Sequence, residues 1–417
     1  MGAIIKKPVS SAPPGEKSIF SSPSGTSYLF PFVLVTSLFL MWGVAHGLLD
    51  TLNKHFQVAF TMSKAQSGLV QFAAYISYGV FSIPAGLFMR KYGYKKGIIL
   101  GLFLYAVGAF GFVPAAGFHS PNPFWVALFV IFCGLCILET AANPYSTVLG
   151  PKENASQRIN LSQSFNGLGW ILGPFIGGQL ILGAAPGDNM ALTKPYLIVG
   201  TCALVVAALF FFTKLPDIVE TDEASATGGV EAGRKPMWAH RHFSLAVVAQ
   251  FFYMAAQASV FGFFINYVME LDSSITKQTA ANFLAFGGMA LFAIGRFSGS
   301  FIMKKFQPNK LLACYAFACS VTMTLVVLSL GKVSLYALYI TFFFMSIMFP
   351  TIFALGVANM GIYTKKAASY IVMMVAGGAF APMLMGYIGE HNMAIGFIIP
   401  LVCFLYILFY GLKGYKM

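Results

Sequence analysis

"MRKYGYKK", Met89–Lys96, places four basic residues between two long apolar runs. Those runs, predicted at 66–89 and 97–115, are each about long enough to cross a bilayer, which needs roughly 20 residues. A short basic turn between two spans marks a cytoplasmic loop, because Lys and Arg are retained on that side. The motif returns as "MKKFQPNK", Met303–Lys310, again between two apolar runs. Two more pairs keep nearly the same offset: "PYSTVLG", Pro144–Gly150, with "PTIFALG", Pro350–Gly356, and Gly173–Pro174 with Ala381–Pro382. A chain that repeats at half its length across membrane spans is expected to be a transporter whose halves rock about a central site.

Composition agrees. The chain has 417 residues, 58% of them apolar and 9% charged. A soluble domain carries about 25% charged residues. Twelve spans are predicted, at 29–52, 66–89, 97–115, 123–147, 160–184 and 195–214, then 243–268, 280–303, 310–330, 333–357, 367–388 and 394–413. The expected fold is therefore an all-α membrane protein, with twelve transmembrane helices in two pseudo-symmetric six-helix bundles. The bundles occupy 29–214 and 243–413. A polar linker at 215–242 joins them, and cytoplasmic tails occupy 1–28 and 414–417. Residues 1–28 lack the apolar core of a signal peptide.

With both termini cytoplasmic, twenty of the 26 Lys and Arg residues face the cytoplasm and five face the other side; Arg296 lies within a span. The net charge of +13 is thus topological and does not indicate a nucleic-acid groove. Cys133 and Cys136 form a CxxC, but no second pair or histidine completes a metal or redox site. They are read as small residues at a helix contact. No metal site, cofactor or catalytic constellation is expected, so the chain is not read as an enzyme.

Only two of the thirteen acidic residues, Asp50 and Glu139, fall within predicted spans. An ionisable group at membrane depth costs at least about 2.5–3.5 kcal/mol and normally faces a cavity or a partner. These two are the expected proton carriers. Trp42, His46, Asp50 and Asn53 follow one another at helical spacing and share a face. His46, one turn from Asp50, is a third candidate for the proton path. Asn143 lies one turn beyond Glu139, next to Pro144. Gln163 and Asn166 face together one turn before Trp170. Amides donate and accept as sugar hydroxyls require, and an aromatic ring suits the apolar face of a pyranose. In the second half, Gln250, Tyr253 and Gln257 share a face, and Asn282 opens the eighth span. Arg296 is expected to bond a carbonyl or to reach toward the cytoplasmic end.

Several longer stretches carry a family resemblance. They are "WGVAHGLLD" (42–50), "IPAGLFMRKYGYKKGIILGLFLYAVGA" (83–109), "LETAANPYSTVLGP" (138–151) and "INLSQSFNGLG" (159–169). The likeness continues through "AQFFYMAAQ" (249–257), "IGRFSGSFIMKKF" (294–306), "FMSIMFPTIFALGVANMG" (344–361) and "YIVMMVAGGAFAPMLMG" (370–386). Together they resemble the fucose–galactose–glucose:proton symporters of the major facilitator superfamily, in particular the bacterial L-fucose:proton members. The resemblance implies that Asp50 and Glu139 are the family's two cavity carboxylates. It further implies that Gln163, Asn166 and Trp42 take part in sugar binding. Where the family's fucose-transporting members carry asparagines, this chain has His46, Gly47 and Leu49, and Arg90 stands at the usual acidic position of the 86–96 loop.

The expected function is import of a monosaccharide with a proton, with the proton gradient as the energy source. The alternatives are a sodium-coupled or facilitative carrier, then a proton-coupled efflux antiporter or a non-transporting sugar sensor. The expected setting is the bacterial inner membrane, with lipid, sugar and proton as partners and the chain as a monomer.

Overall fold

The structure is a computed structural model that describes residues 27–118, 120–150, 155–185, 188–215, 236–303, 306–360 and 363–416. Most of the expected N-terminal tail and linker lies outside these residues, as do Lys152, Lys304 and Lys305. Among the described residues, twelve helices are long and apolar enough to cross a membrane. The first six are α1 (Leu29–Ala59), α2 (Lys64–Met89), α3 (Tyr94–Ala116), α4 (Asn122–Asn143), α5 (Leu161–Leu182) and α6 (Met190–Phe212). The second six are α7 (Arg241–Leu271), α8 (Lys277–Gly299), α9 (Pro308–Val327), α10 (Lys332–Val357), α11 (Lys366–Ile388) and α12 (Met393–Gly414).

The repeat is visible in the packing. In the first half α1 packs on α5, α2 on α4, and α3 on both α4 and α6. In the second half the equivalent pairs recur: α7 on α11, α8 on α10, and α9 on both α10 and α12. Large apolar side chains such as Phe103, Val126, Phe212 and Tyr336 point outward, where lipid replaces water.

Three pairings join the halves: α1 with α7, α2 with α11, and α5 with α8. Irregular backbone gathers in helices at this junction. α5 ends in a π-helical turn at Gly178–Leu182, and α8 carries another at Leu284–Met289. α11 carries a 3-10 turn at Met374–Ala376, and α10, outside these pairings, is interrupted between Met345 and Met348. Non-helical backbone at membrane depth is tolerated where protein or a cavity satisfies it.

α1 is longer than its apolar run. It continues past the expected end at residue 52 to Ala59, through Asn53, Lys54 and His55. Asp50 is therefore not near a helix end. More than two turns follow it, and Asn53 and His55 are themselves buried. Polar residues end the apolar run, but the helix persists because other helices cover it.

Candidate functional site

α1 and α5 meet along glycines. A Cβ on Gly43 would strike the Asn166 carbonyl and lie 2.9 Å from Gly169 Cα; one on Gly47 would lie 2.6 Å from Pro174 Cδ. Two rows of glycine at four-residue spacing therefore let the backbones touch. This approach carries Asn166 and Trp170 of α5 against the Trp42–His46–Asp50 face of α1.

His46 is the centre of an aromatic cluster. Its ring centroid lies 4.9 Å from that of Phe132, 5.2 Å from Trp170 and 5.9 Å from both Trp42 and Tyr75, with Tyr78 at 6.4 Å. These rings come from α1, α2, α4 and α5. His46 Nδ1 lies 3.0 Å from the Trp42 carbonyl oxygen. A carbonyl only accepts, so this bond places the proton on Nδ1 and leaves Nε2 as an acceptor. Trp170 also meets Phe261 of α7 at 5.3 Å, so its ring touches both halves.

Both carboxyls are buried. Asp50 is 2% exposed and Glu139 6%. Asp50 Oδ2 has no hydrogen bond among the described residues. Each carboxyl has a tyrosine of α2 for a neighbour, Tyr75 or Tyr78. Tyr75 is an electrostatic neighbour of Asp50. The Tyr78 hydroxyl faces the Glu139 carboxyl, although the pair falls short of hydrogen-bond geometry. His46 packs against both tyrosine rings. Sequence reading did not single out these tyrosines. Their three-residue spacing in an apolar helix was the available signal.

The amides form a second layer. Gln163 Nε2 donates to Asn143 Oδ1 at 3.4 Å and ties α5 to α4. Asn166 Nδ2 donates to the Phe39 carbonyl of α1 at 3.2 Å. Its Oδ1 accepts from Arg296 Nη1 of α8, at 3.4 Å, across the two halves. Arg296 bonds a carbonyl, as its position suggested: Nε donates to Ser346 O at 3.4 Å. That carbonyl is available because Pro350, four residues on, has no N–H to offer it. The guanidinium also lies over the Phe292 ring, 4.6 Å from its centroid. Its electrostatic neighbours are Tyr253 and Glu139. Arg296 thus acts at the junction of the halves as well as on its own carbonyl, which sequence reading had not anticipated.

On α7, Gln250, Tyr253 and Gln257 are buried on one face, as expected. Both amide atoms of Gln250 and the Tyr253 hydroxyl lack hydrogen-bond partners among the described residues, as does Trp42 Nε1. Buried polar atoms are nearly always paired. An unpaired set contributed by both halves suits a polar ligand with several hydroxyls. Asn282 of α8 is already paired. It accepts from Gln179 Nε2 at 3.5 Å and stands fourteen residues before Arg296. At the 1.5 Å rise of a helix that is about 21 Å away. Among the described residues no group of three His, Cys, Asp or Glu is placed to hold a metal ion. Cys133 and Cys136 are buried free thiols.

The Major Facilitator Superfamily profile matches residues 31–382. The chain is 40% identical to the L-fucose-proton symporter of Escherichia coli over 91% of each chain. It is 35% identical to a glucose/galactose transporter of Brucella abortus, over 94% of this chain and 96% of that one. A crystal structure of the E. coli fucose:proton symporter superposes with a TM-score of 0.71 at 38% identity, covering 94% of this chain and all of that one. Repeated bundles, junction-facing carboxyls and these likenesses lead to one conclusion: the chain belongs to the Major Facilitator Superfamily, in the branch of fucose–galactose–glucose:proton symporters.

Proposed function

We propose that this protein imports a monosaccharide together with a proton by alternating access, with fucose, glucose, galactose or an amino sugar as the candidate substrates. The observation that carries the reading is the buried Glu139 carboxyl, set beside Tyr78 and within electrostatic reach of Arg296. The names of the relatives support the same reading, and the distribution of basic residues supports a plasma-membrane protein with cytoplasmic termini.

In this reading the sugar enters between the halves with its ring against Trp42 and Trp170. Its hydroxyls bond Gln163, Asn143 and Asn166 from one side and Gln250 and Tyr253 from the other. A protonated Glu139 is a hydrogen-bond donor and carries no charge into the closed site. Opening toward the cytoplasm hydrates the site, and Glu139 releases its proton as Arg296 and water stabilise the carboxylate. Asp50 exchanges protons with Glu139 through the Tyr75–Tyr78 edge, with His46 packed beside it. The protein acts as a monomer.

Proteoliposomes with an imposed proton gradient, in sodium-free buffer, test the reading. Wild-type protein accumulates its sugar and alkalinises the outside. Glu139→Gln keeps the neutral carboxyl's shape and is expected to exchange sugar in counterflow while failing to accumulate it. Accumulation by that variant would assign the proton to another group.

A further inference from the structure

At the end of the molecule opposite the termini, an ammonium from one half is enclosed by the other. Lys64, the first residue of α2, directs Nζ at the Glu270 carboxylate at 2.5 Å. The same Nζ donates to the carbonyls of Gly389 at 2.7 Å and Glu390 at 2.8 Å. An ammonium has three donors, and all three are used. The Glu390 carboxylate returns across the junction and accepts from the backbone N–H groups of Lys64 and Ala65, at 3.2 and 3.3 Å. Glu270 also accepts from Met393 N at 2.7 Å, which fixes it against the start of α12. Three segments of the second half, the end of α7, the turn after α11 and the start of α12, thus converge on the start of α2.

The backbones here are as close as the polar groups. A Cβ on Gly386 would strike the Lys64 carbonyl, and one on Gly68 would lie 2.8 Å from Met383 Cα. The other two junctions at this end are bridged by neutral amides: Asn266 to Gln57 at 2.6 Å, and Gln278 to Gln179 at 2.6 Å. The α2 junction alone is ionic among the described residues. It is also wet on one side. Lys64 is 13% exposed and Glu270 38%. A cavity of about 470 Å³, lined by Lys64, Tyr267, Glu270, Ser329, Glu390 and His391, opens beside them.

We propose that Lys64, Glu270 and Glu390 form a latch that holds the transporter shut on its extracytoplasmic side, and that sugar enters only when this latch is broken. The step rests on the alternating-access reading above. Sugar entry requires α2 to part from α7 and α11, and parting removes every partner the ammonium has. The latch therefore lowers the free energy of the closed state relative to the open one and sets the balance between them. Because water reaches it, the released charges are rehydrated at once, so the latch is reversible and weakens with salt.

Distances between spin labels test it without any sugar, so the result stands apart from the substrate assignment. Labels are placed at Asn122→Cys and Ser273→Cys, exposed positions on the same end of opposite halves, in full-length protein whose native cysteines are replaced by serine. Lys64→Met keeps the stem and removes the charge. It is expected to raise the ratio of separated to closed molecules about tenfold, the usual scale for a charged hydrogen-bond set. Glu270→Gln is expected to act in the same direction, and the double variant to add little beyond either single one. Wild-type distances in both single variants, or fully additive effects, would overturn the latch. If Lys64→Met does not fold, Glu270→Gln decides: a wild-type distribution refutes the proposal and a separated one supports it.

Discussion

His46 shows how a residue's surroundings narrow its role. It is one turn from Asp50, which suggested a proton partner, yet its Nδ1 hydrogen bond runs to the Trp42 carbonyl in its own helix. Its ring instead fills the gap among five aromatic side chains. His46→Phe preserves that filling and removes a single hydrogen bond, a loss of about 1 kcal/mol. We expect a small drop in melting temperature and retained proton-driven accumulation, with a changed KM for sugar through the neighbouring Trp42 and Trp170. Lost accumulation with normal counterflow would show that His46 itself carries the proton. His46→Ala should be far less stable, because deleting a buried aromatic side chain costs roughly 3–5 kcal/mol.

At the level of elements, the α1–α5 seam places the site. Gly173 faces Gly47 so closely that a Cβ there would lie 2.5 Å from Gly47 Cα, with backbone on both sides and nothing flexible to give way. Gly167, six residues earlier on the same helix, would bring a Cβ no closer than 3.6 Å to Ala293. Gly173→Ala should therefore cost about 1–3 kcal/mol by overpacking and move Asn166 and Trp170 away from α1. Gly167→Ala should be nearly silent. Thermal stability and uptake measured on both variants check this contrast, and equal effects would contradict the seam. Such features were partly readable beforehand. The spans, the repeat and the faces of α1, α5 and α7 follow from local spacing, which sequence displays directly. The continuation of α1 to Ala59 did not, since Asn53 and Lys54 look like the end of a span until their covering helices are known. Lys64, Glu270 and Glu390 meet only in three dimensions, from positions more than a hundred residues apart.

Across the whole molecule, the repeat is symmetric in backbone and asymmetric in chemistry. Asp50 and Glu139 both lie in the first half, and the cation within electrostatic reach of Glu139, Arg296, comes from the second. That pair of opposite charges therefore meets only when the halves do. Arg296 is held on its own side by Ser346 O and Phe292, and it reaches Asn166 on the other. Asn166 in turn bonds the backbone of α1, the helix that bears Asp50. A change in how the halves sit thus alters the charge that Glu139 experiences and the grip on a sugar-binding amide in one movement, which is what coupling two cargoes requires. Arg296→Gln keeps a donor for Asn166 and removes the charge. If the charge does the coupling, this variant should bind sugar and exchange it at rates near wild type, while its accumulation under a proton gradient falls about tenfold, the scale of losing one charge-assisted contact. Arg296→Met, which removes the donor as well, should lose sugar affinity in addition. Equilibrium sugar binding measured alongside gradient-driven uptake separates the two variants. If Arg296→Gln accumulates sugar as wild type does, the cation serves only to join the halves, and proton release from Glu139 depends on hydration alone.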